Sequence, residues 1–301
     1  MIPFVREITF DYGQCDQVSP LIRRVIANNP GPFTFTGTGT YIIGKGEVAV
    51  IDPGPDMADH LEAILAAVAG ETVTHILITH NHLDHSPLAH PLAARTGAKI
   101  YAMPIEAMAS DDEVKMEAGD DLGFKADVIL AGGEIISGPG WTFEAIPTPG
   151  HTSNHICYGL AEENALFSGD HIMGWSTTVI TPPDGDMGAY FASLDRIQAK
   201  GFATLWPTHG PPITEPAPFI QAYSDHRRVR EAQIIEQLAK GPASILTIVP
   251  VIYAAVDARL HPAAARSIQA HVIQMVKDGR LLADTAPGLG VVLDTLLRLP
   301  D

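Results

Sequence analysis

The sequence predicts an α/β protein carrying a helix-rich C-terminal domain, and three observations point there. Short apolar strand runs alternate with a helical segment between residues 40 and 102, and strand patterns return between 141 and 167. From Asp225 onward the apolar spacing turns helical. The charge balance changes at the same place: residues 1–223 hold 10 Lys and Arg against 27 Asp and Glu, whereas residues 224–301 hold 9 against 8. The 301-residue chain has a net charge of −16. Such acidity argues against a surface built to grip phosphate backbones or anionic membrane. A hydrophobic fraction of 46% with 18% charged residues is globular and excludes a disordered chain.

Taken in order, Thr40–Gly44 (TYIIG) and Val48–Asp52 (VAVID) flank Lys45-Gly46-Glu47, the pattern of two strands joined by a tight turn. Pro53-Gly54-Pro55 ends the second strand. Ala58–Ala69 spaces Leu61, Ile64, Leu65 and Val68 at helical intervals, with Gly70 as its stop. Thr74–Thr79 reads as a buried strand that delivers its end to His80–His85, and Lys99–Ala102 as another. Glu106–Gly123 sets seven acidic residues against Lys115 alone. It reads as a solvated surface segment, or alternatively as an insertion that repels polyanions near a site mouth. Strands resume at Trp141–Ile146, Ile156–Leu160 and Ala165–Phe167.

In the tail, the helical segment from Asp225 stops at Gly241-Pro242, a second runs through Ile248–Val256, and a third, Pro262–Lys277, stops at Asp278-Gly279. Arg280–Leu293 carries Pro287-Gly288 between two apolar stretches, like a small β-hairpin. Three helices followed by a hairpin form the winged-helix pattern, so the expected domains are 1–223 and 224–301. The candidate recognition helix Pro262–Lys277 offers Arg266 and Lys277 and little else basic. A packing or homodimer role is therefore expected over nucleic-acid binding. Cys15 and Cys157 are too few and too far apart for a disulfide framework and read as reduced thiols. The N-terminal stretch lacks a secretory pattern, and the longest apolar run, Ile245–Val256, is short of a membrane span. A soluble, cytoplasmic protein is expected.

The chemistry concentrates in His80-Asn81-His82-Leu83-Asp84-His85, three histidines and an aspartate within six residues. Imidazole and carboxylate are the nitrogen and oxygen donors that zinc and similar metals take. An extended segment that ends in a turn can present them to two neighbouring cations. Three further strand-end loops repeat the theme: His151 in Pro149-Gly150-His151-Thr152, Asp170 in Ser168-Gly169-Asp170-His171, and His209 in Pro207-Thr208-His209-Gly210. His171 with Trp175–Thr178 reads either as a substrate-contacting loop or as a core turn, and Pro182-Pro183-Asp184-Gly185 as a turn shaping the site entrance. His75 and His155 read as structural, while His60, His90, His226, His261 and His271 read as surface or helix residues. Thr79 and Thr152 are candidates to orient the ligands.

The order HxHxDH, GHT, SGD and HGP over residues 34–225 resembles the metallo-β-lactamase-fold hydrolases. The segment His151–Val179 and the winged-helix-like tail look like the β-lactamase-like protein 2 subfamily. The resemblance implies an αββα sandwich with two metals at the edge between its sheets. His80, His82 and His151 would bind one metal, Asp84, His85 and His209 the other, and Asp170 would bridge them. It also implies two Zn2+ ions (iron or manganese being alternatives), a bridging hydroxide as nucleophile, and Asp84 and Asp170 as catalytic carboxylates. Ser86-Pro87-Leu88 replaces the family's usual glycines, and Thr208 stands where Gly precedes the last histidine.

Three functions follow from this reading. The first is a dinuclear hydrolase of a small ester, thioester or lactone. The second is a single-strand endoribonuclease, the activity of the subfamily's animal members, against which the acidity of residues 1–223 weighs. The third is a DNA-binding regulator, disfavoured because a pure binding module has no need of an intact dinuclear set.

Overall fold

The computed structural model describes residues 1–105, 119–285 and 290–301. Glu106–Gly123 therefore falls largely outside the described residues, as does the Pro287-Gly288 turn. The first sheet contains β1 (Cys15–Gln17), β2 (Ile22–Ile26), β3 (Gly39–Lys45), β4 (Glu47–Ile51), β5 (Thr72–Leu77), β6 (Lys99–Ala102) and β7 (Val128–Ile129), side by side in chain order. It is antiparallel from β1 to β4 and parallel from β4 to β7. The second contains β8 (Ile135–Gly138), β9 (Trp141–Pro147), β10 (Ile156–Leu160), β11 (Ala165–Gly169) and β12 (Thr204–Pro207), in the order β12-β11-β10-β9-β8.

Strand periodicity explains why the sheets stack. Tyr41, Ile43, Ala49 and Ile51 share one core with Trp141, Phe143, Tyr158 and Phe167 of the other sheet. The intervening Ile42, Val48 and Val50 face α1 (Ala58–Ala67) and α2 (Ala89–Thr96). On the far side, Ile146, Cys157 and Leu166 pack with α3 (Met187–Lys200) and the first half of α4 (Pro216–Leu238). The result is the expected αββα layering. Tyr41 and Tyr158, both buried, donate their hydroxyls to the Pro207 carbonyl of β12 and the Ile78 carbonyl beyond β5. They lock the ends of the two sheets together.

The C-terminal part comprises α4, α5 (Ile245–Ile252), α6 (His261–Lys277) and an antiparallel pair of β13 (Leu282–Ala283) with β14 (Leu297–Arg298). α4 starts nine residues before Asp225, with Pro216 in its first turn, and runs unbroken past residue 224. Its Phe219, Ile220 and Tyr223 join the sheet-facing core, and its Ile234 and Leu238 join the C-terminal core. The two basic residues of α6 both have partners within the chain: Arg266 donates to the Pro182 carbonyl, and the exposed Lys277 pairs with Asp186 at 2.8 Å. Ala270 of the same helix belongs to the core beneath α3. Both thiols are free, Cys15 exposed and Cys157 buried. Among the described residues no helix is long and apolar enough to cross a membrane.

His60, on α1, is buried with Nε2 2.8 Å from Thr40 Oγ1, and burial pushes its imidazole down to about 4. In the unfolded chain the ring takes a proton near pH 6.5, while the folded ring stays neutral until about pH 4. Its contribution is therefore complete above pH 6.5 and is lost as the pH falls through that window. Denaturant titrations should show the wild type losing about 2 kcal/mol more than His60→Gln between pH 7.5 and 5. Equal losses would refute it.

Candidate metal centre

Four loops reach the seam between the sheets, and each begins where a strand stops. The loop after β5 carries His80, His82, Asp84 and His85; those after β9, β11 and β12 carry His151, Asp170 and His209. Two glycines set the approach. A Cβ on Gly150 would lie 2.5 Å from the Tyr190 backbone of α3, and one on Gly169 would lie 2.6 Å from His155 Nε2. Both sit at positive φ, so each loop turns tightly into the site beside its neighbour.

All seven side chains predicted from the motifs are brought together and buried. Three sets place their donor atoms within 4.8 Å of one another: His80, His82 and His151; His80, His85 and Asp170; and Asp84, His85 and His209. His80 Nε2 and His82 Nδ1 lie 2.9 Å apart. Asp170 reaches both the His80, His82, His151 group and the Asp84, His85, His209 group, with one oxygen 3.9 Å from His151 Nε2 and 3.6 Å from His85 Nε2 and the other 3.5 Å from His209 Nε2.

The nitrogens facing away from the centre have oxygen partners. His151 Nδ1 donates to the Val179 carbonyl (2.7 Å) and His209 Nδ1 to that of Gly37 (3.2 Å). His85 Nδ1 donates to Asp52 Oδ2 (2.9 Å), and His80 Nδ1 lies 3.1 Å from Thr79 Oγ1. Such contacts orient each ring and leave its other nitrogen aimed inward. Accordingly, His85 Nε2, His209 Nε2 and Asp170 Oδ1 are buried without a hydrogen bond. Orphaned inward-facing donors in an N/O set suit a divalent transition metal such as zinc, iron or manganese.

Electrostatics agree with that fit. Burial holds His80 well below its ordinary value and His82 down at about 3, so both are neutral imidazoles able to bind a cation. Burial would raise Asp84 and Asp170, but His85 and His209 outweigh it and keep both carboxylates ionised. Conversely, burial would lower His85 and His209, but Asp84 and Asp170 draw both toward the charged form. Two carboxylates thus recruit positive charge to one point, a demand that cations meet.

Asp52, at the end of β4, is an anchor that the motifs do not reveal. Fully buried, it accepts from the Thr79 amide (2.8 Å), Thr79 Oγ1 (2.7 Å), Thr208 Oγ1 (3.0 Å) and His85 Nδ1. Thr208, which replaces the family's glycine, therefore ties the His209 loop to the same carboxylate as the His80 loop. Ser86, the other departure, donates to Asp121 Oδ2 at 3.1 Å. Thr79 acts as expected, but Thr152 Oγ1 is buried without a hydrogen bond. Leu83 and Asp121 make backbone hydrogen bonds to Gly119 and Asn81, so the described end of the acidic segment abuts the His80–His85 loop.

A small open cleft of about 30 Å³ lies at the metal-site side chains, lined by His82, Asp84, His151 and Asp170 together with Pro32, Phe33, Met173, Trp175, Ser176, Thr177 and Val179. Of the loop after Asp170, Trp175–Thr177 line this cleft, whereas His171 is a buried core residue packed edge-on against Tyr190. Pro182 and Pro183 are not among its lining and face α6 instead. His155 is structural, 2.8 Å from Thr148 Oγ1. His75 lies in β5, and the five remaining histidines lie in helices, with His60 and His271 buried.

Comparison with known proteins adds the following. The metallo-beta-lactamase superfamily pattern matches residues 34–209, and the beta-lactamase-associated winged helix domain matches residues 244–286. A beta-lactamase-like protein 2 homolog of Caenorhabditis elegans is 30% identical over 273 residues, covering 88% of this chain and 87% of that protein. An atrochrysone carboxyl ACP thioesterase of Aspergillus terreus is 30% identical over 229 residues, 75% of this chain and 66% of its own. The crystal structure of a beta-lactamase domain protein from Burkholderia ambifaria superposes with a TM-score of 0.80 at 20% identity, over 99% of this chain and 97% of that one.

Proposed function

The chain belongs to the metallo-beta-lactamase superfamily, and we propose that it is a dinuclear metal-dependent hydrolase of an ester, thioester or lactone. The observation that carries this reading is the cleft wall. Beside His82, Asp84, His151 and Asp170 the cleft is lined by Pro32, Phe33, Met173, Trp175 and Val179, with Ser176 and Thr177 and with no Lys or Arg among the described lining residues. A phosphodiester chain needs cationic contacts along its backbone, whereas a neutral acyl substrate needs apolar area and few charges. The thioesterase name of the Aspergillus terreus relative points the same way.

In this reading His80, His82 and His151 would hold one cation and Asp84, His85 and His209 the second, with Asp170 available to the pair. Two such cations supply a water nucleophile at neutral pH and polarise the scissile carbonyl. The chain's own residues do the rest. Asp84, held ionised by His85 and His209 at the cleft floor, accepts the proton of the attacking water. The Val179 and Gly37 carbonyls and Asp52 keep three imidazoles in register while charge develops. The apolar wall excludes bulk water from the acyl side.

Protein loaded separately with zinc, iron or manganese should be assayed side by side on S-acylglutathiones, a lactone panel and single-stranded RNA. Turnover is expected on a thioester or lactone, abolished by chelation and restored by metal. RNA cleavage that disappears in His82→Ala, without ester or thioester turnover, would replace this reading with the ribonuclease one.

A further inference from the structure

We infer that Trp175 is a specificity-determining residue, the centre of a rigid apolar wall that binds the acyl chain of the substrate; the inference rests on the hydrolase reading. The indole stacks on Phe35 at 4.9 Å with 14° between the rings. Its other support is Gly210, directly after His209, where an added Cβ would fall 2.8 Å from the indole Cδ1. The ring is thus wedged between an aromatic face and a bare backbone, and it lines the same cleft as His82, His151 and Asp170. A wall placed there meets the part of a substrate next to its scissile carbonyl.

Both supports are fixed from outside the cleft. Phe35 is a non-glycine residue at φ 56, held by two backbone hydrogen bonds across the turn to Gly31 and by a Gly37–Thr34 bond. The same turn presents the Gly37 carbonyl to His209. On the other side, α4 grips the loop that carries the indole: Tyr223 hydrogen-bonds to Met173 and to the Ser176 carbonyl, and Arg227 donates to the Thr178 carbonyl. A wall pinned this way cannot collapse into the cleft, so apolar area stays available to a ligand at little ordering cost.

The indole Nε1 is buried and makes no hydrogen bond, an uncommon state for a tryptophan. Phe33, by contrast, is 40% exposed on the rim of the same cleft. Together the pinned indole and the exposed Phe33 ring describe a site that takes an apolar acyl group. Each methylene buried against such a wall raises kcat/KM about fourfold until the chain reaches the rim.

The test uses N-acetylcysteamine thioesters from acetyl to octanoyl with the full-length, metal-loaded protein. The octanoyl-to-acetyl ratio of kcat/KM should exceed about 100 in the wild type and fall at least tenfold in Trp175→Ala, with a smaller fall in Phe33→Ser. Trp175→Phe, which keeps an aromatic face at the wall, should retain most of the chain-length ratio that Trp175→Ala loses. Binding of the non-hydrolysable S-octyl and S-methyl thioethers, measured by calorimetry, gives a readout independent of turnover. Tight octyl binding lost in Trp175→Ala and weakened in Phe33→Ser supports the wall even if no thioester is cleaved, an outcome that would defeat the hydrolase reading alone. Chain-length-independent kinetics and binding in the wild type, or an unchanged chain-length ratio in both truncation variants, overturn the inference.

Discussion

Replacing Asp170 with alanine should lower kcat/KM by more than about 10³-fold, the largest single effect expected in this protein. Its carboxylate lies within 4 Å of inward nitrogens from three different loops, those of His85, His151 and His209. Any cation pair held by the two triads needs an anion between them, because two divalent charges a few ångströms apart repel strongly. The fold should survive the change, since His85 and His209 can shed the protons that Asp84 and Asp170 help to retain. Circular dichroism should therefore be native, while metal per chain, measured by mass spectrometry, falls below two. His82→Ala should behave likewise, with the loss confined to the cation that His80 and His151 still flank. Full turnover in either variant would refute the assignment.

Asp52→Asn should be the most damaging change outside the seven clustered residues. Asp52 Oδ2 alone accepts from Thr79 Oγ1, His85 Nδ1 and Thr208 Oγ1, and Oδ1 accepts from the Thr79 amide. Either orientation of an amide sets an N–H against a donor, leaving at least one buried polar group unmatched at about 1–3 kcal/mol each. Asparagine, unlike alanine, tolerates the φ of 46 at this position, so the backbone is spared and the electrostatic part is isolated. A loss of about 10–100-fold in metal affinity is expected, with a fall in thermal stability in the chelated protein as well. Competition with a chromophoric chelator measures the first and calorimetry the second. Wild-type affinity would mean that Asp52 supports only the fold.

Legibility in the sequence tracked how local each feature is. HxHxDH stands out because four donors lie within six residues, and the strand before it ends in the apolar Ile76-Leu77-Ile78. The helix at Met187–Lys200 has a cap in Asp186 and a stop in Gly201, but the polar Ser193 on its buried face breaks the apolar spacing that would mark it in the sequence. α4 was read nine residues short because its amphipathic pattern changes where it passes from one core to the other. The aromatic wall was half visible: Trp175 was noted beside Asp170, but Phe35, which braces it, lies 140 residues earlier.

By itself, then, the sequence determined the layer class, the winged-helix tail and the seven side chains that gather at the seam, since strand period, stop signals and donor type are written residue by residue. Tertiary structure alone decided what stands behind those side chains and what faces them. The Val179 and Gly37 carbonyls are backbone atoms that carry no side-chain signature. Asp52 reads as the end of a strand until Thr79, His85 and Thr208 converge on it from two other loops. Away from Asp84 and Asp170 the cleft carries no charged side chain despite the chain's −16 charge, because packing lines it there with Pro32, Phe33, Met173, Trp175 and Val179. Net charge sums over the whole chain, whereas recognition depends on the few residues that packing places within reach of the substrate.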